Sequence, residues 1–181
     1  MSRYVAFLRA INVGGHTVAM AELRAEFEAL GFSRVETFIA SGNVIFESRS
    51  GASAALERKI EQKLARALGY EVATFLRSDA EVAEIARFEA FGAEQLAAAR
   101  AFNVGFLKAP LGRSERARVA AFTTEIDAFR VHLREVFWLC RTKQSESSFS
   151  NALLERSLAI RATFRGMNTV AKLAAKYSPR S

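Results

Sequence analysis

A single cysteine, Cys140, is too little for an internal disulfide or for a zinc cluster built on cysteine alone. Two prolines and ten glycines in 181 residues exclude a collagen-like or low-complexity chain. With half of its residues apolar, the chain is not intrinsically disordered. Long hydrophobic runs are missing too. No strictly apolar stretch exceeds a few residues, and Val5 to Leu8 ahead of Arg9 is far short of a signal-peptide core. The expectation is a soluble, cytoplasmic, globular protein with no membrane partner, large enough for one domain or two small ones.

What the chain does have is positive charge, unevenly placed. The formal net charge is +7 and the pI about 10.1. Residues 1–99 hold 11 Lys/Arg against 13 Asp/Glu, whereas residues 100–181 hold 15 against 6, a net of +9. An excess of this kind suits a polyanionic partner, a nucleotide or nucleic acid. The plainer reading is a solvated surface, since no five-residue block of Lys/Arg occurs and the arginines are scattered.

The apolar pattern orders the elements. Residues 4–11 read as a buried strand, followed by a loop, Asn12-Val13-Gly14-Gly15-His16. Met20, Leu23, Phe27 and Leu30 recur at helical spacing, with Gly31 where a C-terminal cap belongs. Residues 35–39 and 44–46 read as strands around a turn, Ala40-Ser41-Gly42-Asn43. Leu56, Ile60, Leu64 and Leu68 form the next helical stripe, stopped at Gly69, and residues 72–76 a fourth strand. Ser78 with Glu81 is a capping box for a short helix carrying Val82 and Ile85. Strand-helix-strand-strand-helix-strand is the ferredoxin-like unit.

The second half repeats the order. Residues 104–109 match residues 5–10 at an offset of 99. A basic helix follows over residues 113–124, strands over 129–133 and 136–140, a helix over 147–158, a strand over 158–164 and a last helix from about Asn168 that buries Val170, Leu173 and Tyr177. The expected fold is α+β, two tandem ferredoxin-like (βαββαβ) subdomains with antiparallel sheets, residues 1–98 and 99–181.

Several blocks carry a resemblance. Leu8-Arg9-Ala10-Ile11-Asn12-Val13-Gly14-Gly15, Met20-Ala21-Glu22-Leu23-Arg24, the stretch from Thr37 through Ser41-Gly42-Asn43 to Phe46, Phe75-Leu76-Arg77-Ser78, and the stretch from Ala162 through Arg165, Asn168 and Thr169 to Leu173 together resemble a bacterial family known as domain of unknown function 1697. Ala10 stands where that family usually has Gly, Ala40 where it has Gln, and Gly166-Met167 where it has Asn-Trp. Residues 110–150 show little match. The resemblance implies a pair of ferredoxin-like subdomains and no established activity.

Topology brings one set of candidate ligand-binding residues together. The first two strands of such a unit run parallel with the third between them, so the end of the first strand lies beside the second-to-third hairpin. Arg9, Asn12, Gly14 and Gly15 should then lie near Ser41, Gly42 and Asn43, beside the start of the first helix, where N–H groups could receive an anion. Ordinary turn chemistry would use the same residues. The loop lacks both the dinucleotide and the P-loop glycine patterns. A second set, Arg161, Thr163, Arg165, Asn168, Thr169 and Lys172, reads as an anion site, with Asn168 or Thr169 capping the last helix. Arg77 should lie at the opposite sheet edge from Asn12.

Catalytic constellations are thin. His16 and His132 fall in different subdomains, and with Cys140 fit no zinc motif; Cys140 reads as a buried small residue. No metal and no cofactor is expected. Nineteen aromatic residues invite comparison with RNA-recognition modules, but Asn43-Val44-Ile45-Phe46-Glu47 lacks their strand pattern, and core packing explains the spacing better. The leading expectation is therefore a protein that binds an anionic ligand: nucleotide, nucleic acid or phosphorylated metabolite. An enzyme acting in a cleft between the subdomains and a structural or interaction protein are the alternatives.

Overall fold

The computed structural model describes residues 1–12, 15, 17–39, 42–49 and 51–179. Strand β1 (Ser2–Leu8) leads through a loop to α1 (Met20–Ala29), then β2 (Ser33–Thr37), β3 (Asn43–Ser48), α2 (Ser53–Leu68), β4 (Thr74–Ser78), α3 (Asp79–Arg87) and α4 (Ala93–Ala98). The order then recurs: β5 (Ala101–Phe106), α5 (Arg113–Ala120), β6 (Asp127–His132), β7 (Glu135–Cys140), a 3-10 turn (Gln144–Glu146), α6 (Asn151–Leu158), β8 (Thr163–Gly166) and α7 (Met167–Lys176). Two four-stranded antiparallel sheets result, ordered β2-β3-β1-β4 and β6-β7-β5-β8, the ferredoxin-like arrangement twice over. By backbone contacts the chain divides into Met1–Ile85 with Leu173–Ser181, and Ala86–Lys172.

In the first unit, alternation along β1 turns Tyr4, Ala6 and Leu8 toward the helices, where they join Phe46, Leu23, Phe27, Leu56, Ile60 and Leu64 in one core. Burying each large apolar side chain contributes about 1.5–3 kcal/mol. Phe46 holds the cluster together, stacked on Phe32 at 4.3 Å and edge-on to Phe27 at 5.5 Å. Gly69 ends α2 at φ 79°, as its position after the apolar stripe indicated. The Ser78–Glu81 capping box is present in both directions, at 3.1 and 2.7 Å.

Edge strand β4 is covered from the side. Its Thr74 and Leu76 N–H groups donate to Glu61 and Glu57 of α2, both at 2.9 Å, so the edge is not left unsatisfied. In the second unit Glu155 of α6 likewise accepts from Ala162 N–H at 3.0 Å, just ahead of the four-residue β8. The core there is formed by Leu111 and Val119 beneath α5, Leu154 and Leu158 of α6, and Val136, Trp138 and Cys140 of β7.

Some element ends differ from the sequence expectation, for local reasons. The first strand stops at Leu8, because Ala10 and Asn12 take left-handed backbone, φ 58° and 60°. The strand expected from residue 158 begins only at Thr163, since Ala159 closes α6 at φ 53°. The helix from Arg113 ends at Ala120 rather than 124. The last helix begins at Met167, so Asn168 and Thr169 lie inside its first turn and do not cap it, a correction to the expected capping. Short helix α4 carries no apolar stripe, so the apolar pattern of the sequence gives no sign of it.

Candidate functional site

At the end of β1 the chain meets the start of β3. Phe7 pairs with Asn43, Leu8 N–H donates to Gly42 O at 2.9 Å, and Arg9 N–H donates to Ala73 O at 2.9 Å. Gly42 is required there. Its φ is +76°, and a Cβ would stand 3.2 Å from Leu8 Cβ and 3.3 Å from Ile11 Cβ. The two asparagines serve the backbone: Asn12 Oδ1 accepts from Val18 N–H at 2.7 Å, closing the loop into α1, and Asn43 Nδ2 donates to Phe38 O at 3.0 Å, closing the hairpin. Arg9 is half-buried and Gly15 is exposed with φ +84°. Gly14 and Ser41 lie outside the described residues. As the register requires, Arg77 pairs with Val5, toward the other end of the strand from Asn12.

The second set is divided by the sheet. Thr163 and Arg165 alternate onto one face of β8 and are buried, with Arg165 Nη1 donating to Thr163 Oγ1 at 2.8 Å and to Phe164 O at 2.9 Å. Burial lowers the Arg165 guanidinium to about 10. Arg161 precedes the strand and is exposed, while Asn168 and Lys172 are exposed on α7 and Thr169 is half-buried.

A stronger electrostatic feature lies on α5 and α6, which pack side by side over the same face of the second sheet. Arg113, Arg116 and Arg118 of α5, with Arg156 of α6 and Arg161 just beyond it, are all exposed, and among the described residues none has an acidic partner. The acids on these helices are engaged with backbone instead. Glu115 accepts from Gly112 N–H at 2.7 Å, and Glu155 is buried against Ala162 N–H. Two guanidinium groups are held in place by carbonyls, Arg116 by Leu111 O at 3.2 Å and Arg118 by Ser157 O at 3.1 Å. Arg156 and Arg161 line a shallow groove with Ala152, Glu155, Ala159 and Ile160. The sequence carried a signal for this in Arg113-Ser114-Glu115-Arg116-Ala117-Arg118, whose one acid stands at the third helical position, where it caps the backbone.

No group of three metal-ligating side chains occurs among the described residues. Cys140 is buried in the core, as its neighbours implied, and His132 stacks on Phe88 at 4.0 Å; His16 lies outside the described residues. Sequence reasoning missed Asp127, a buried carboxylate that accepts from Trp138 Nε1, Ser147 Oγ and Thr124 Oγ1 at 2.8–2.9 Å. It ties β6 to β7 and to the segment before α6. No described helix is long and apolar enough to cross a membrane.

The model of a family described as a protein of unknown function (DUF1697) matches residues 1–137. Among solved structures, the chain is similar to the conserved bacterial protein SP0830 from Streptococcus pneumoniae, with 26% identity, a TM-score of 0.76 and 99% of each chain covered. No curated protein matches.

Proposed function

We propose that this chain, which belongs to the DUF1697 family of proteins of unknown function, binds the phosphate backbone of a nucleic acid through α5 and α6 of its second unit. The observation that carries the reading is the set of four exposed arginines on two adjacent helices, joined by Arg161 just beyond α6, with the helices' acids withdrawn onto backbone N–H groups. Arginine presents a planar fork of donors matched to phosphate oxygens. Those of Arg116 and Arg118 are already oriented, so less side-chain entropy is lost when they bind. Phosphate contacts position a duplex or single strand without reading its sequence, so the expected binding is sequence-tolerant and strongly salt-dependent.

The test is fluorescence anisotropy of labelled single- and double-stranded oligonucleotides over a series from 50 to 200 mM salt, conditions over which a protein making several phosphate contacts loses orders of magnitude in affinity, roughly 10³-fold for six. Affinity that falls linearly on logarithmic axes supports the reading. Absence of binding at the lowest salt reduces the arginines to a solvated surface.

A further inference from the structure

The four sheet edges are not treated alike. Edge β4 is satisfied by glutamates of α2, β8 is short and has Glu155 at its start, and β2 carries a register shift between Ser33 and Glu36 with Arg34 at φ 49°. Each device blunts an edge against further pairing. Edge β6 has none of them. All six of its residues pair in unbroken register with β7, from Asp127 opposite Cys140 to His132 opposite Glu135.

The direction of its free groups follows from the ladder. The two-residue turn closes on His132 and Glu135, and at the other end Arg141 N–H donates to Ile126 O at 2.8 Å, so residues 126, 128, 130 and 132 bond inward to β7. Residues 127, 129 and 131 face outward. Asp127 is satisfied locally, since Thr124 N–H donates to its carbonyl and its own N–H donates to Thr124 Oγ1. The N–H and C=O of Phe129 and Val131 have no partner among the described residues. Their side chains are packed on the helix-side core, so this backbone is presented on a rigid strand.

A second copy of the chain fits this edge poorly. The symmetric antiparallel pairing that satisfies both residues sets Phe129 against Val131 of the other copy, which places Arg130 directly opposite its own equivalent. Like charges at that closest pairing position are destabilising. Arg130 is exposed, with its Nε held by Ala90 O at 3.3 Å, and Arg134 and Arg141 flank the strand at its two ends. The charge that deters self-pairing suits a strand of opposite sign. We infer that β6 is a docking edge for an extended acidic segment of a partner protein, which adds as a fifth strand with Asp or Glu opposite Arg130.

The probe is the blocked peptide acetyl-Thr-Val-Glu-Val-Thr-amide, titrated into the full chain and followed by amide chemical shifts and hydrogen exchange, with its Lys-centred counterpart as control. The expected result is perturbation and slowed exchange confined to Phe129, Val131 and their neighbours, with roughly two- to fivefold preference for the Glu peptide. Arg130→Glu, on an exposed side chain, should retain the fold and reverse the preference. Equal response to both peptides, no response at millimolar peptide, or a dimer of the unmodified chain whose Phe129 and Val131 amides are already protected would each overturn the assignment. Oligonucleotide binding at α5 and α6 is measured separately, so either reading can fail alone.

Discussion

Arg77 and Arg165 hold the same position in two sheets. Each faces a valine of the central strand, Val5 or Val104, and each donates from Nη1 to the carbonyl of the residue before it, Leu76 at 2.8 Å and Phe164 at 2.9 Å. Val5 and Val104 are themselves the start of the six-residue sequence match at an offset of 99. The repeat therefore extends from chain order to the placement of a buried guanidinium. Both are buried, with 1% and 9% exposure, so both are packing residues before they are charges. Truncating either, as Arg77→Ala or Arg165→Ala, should lower stability by roughly 2–5 kcal/mol, in the range of large-to-small core changes. The exposed Arg161→Ala should stay within about 0.5 kcal/mol. Thermal melts of the three variants check this ranking.

Gly42→Ala should destabilise the first unit. The substitution forces a Cβ into left-handed backbone and against Leu8 and Ile11 at 3.2 and 3.3 Å. The expected loss is about 2 kcal/mol, read from a denaturant midpoint. Gly31→Ala has the same sign of φ but open space around its Cβ, so its loss should be smaller.

Asp127→Ala should leave the buried Trp138 indole N–H without its acceptor, and release the half-buried Ser147 and exposed Thr124 hydroxyls. A loss of about 1–3 kcal/mol per unsatisfied buried group sets the scale. Trp138 is the single tryptophan, so its emission reports the change directly. A shifted emission maximum in the folded variant is the expected signature; an unchanged one would mean that the indole is held by its packing alone.

Tyr177 gives a pH dependence. Burial, then its 2.7 Å hydrogen bond to Glu36 Oε2, raises the phenol above its ordinary value of 10.0. Lys176, beside the same carboxylate at 3.6 Å, is raised as well, through Tyr177 first and then Glu36. A folded value above the unfolded one means stability that is fully present below pH 10 and lost as pH rises through the folded value. Wild type should therefore exceed Tyr177→Phe by about 1 kcal/mol at neutral pH, with the gap closing above pH 10. Phenolate absorbance of the wild type should contain an ionisation displaced above pH 10 that is lost in the variant.

The repeated element order was legible because apolar spacing of two and of 3.6 residues is dictated by which face is buried, and the stops at Gly31 and Gly69 mark left-handed turns. The meeting of β1 with the Gly42 hairpin followed from topology alone. What stayed hidden depends on distances in space. Thr163 and Arg165 share a strand with the basic stretch, but alternation turns them inward, whereas Arg113, Arg116, Arg118 and Arg156 become a group only when α5 packs beside α6. Asp127 could not be distinguished from a surface turn residue, because its partners, Trp138 and Ser147, lie 11 and 20 residues away.

The most direct measurement compares two variants that remove the same charge from different places. Arg156→Ala/Arg161→Ala strips two guanidiniums from the α6 end; Arg24→Ala/Arg66→Ala strips two exposed ones from the first unit. If α5 and α6 carry the phosphate contacts, the slope of log affinity against log salt for duplex DNA should fall by about 1.8 in the former, at about 0.9 per contact, and stay unchanged in the latter. Equal slopes in both variants would show that net charge alone binds the nucleic acid, and would contradict a site on these helices.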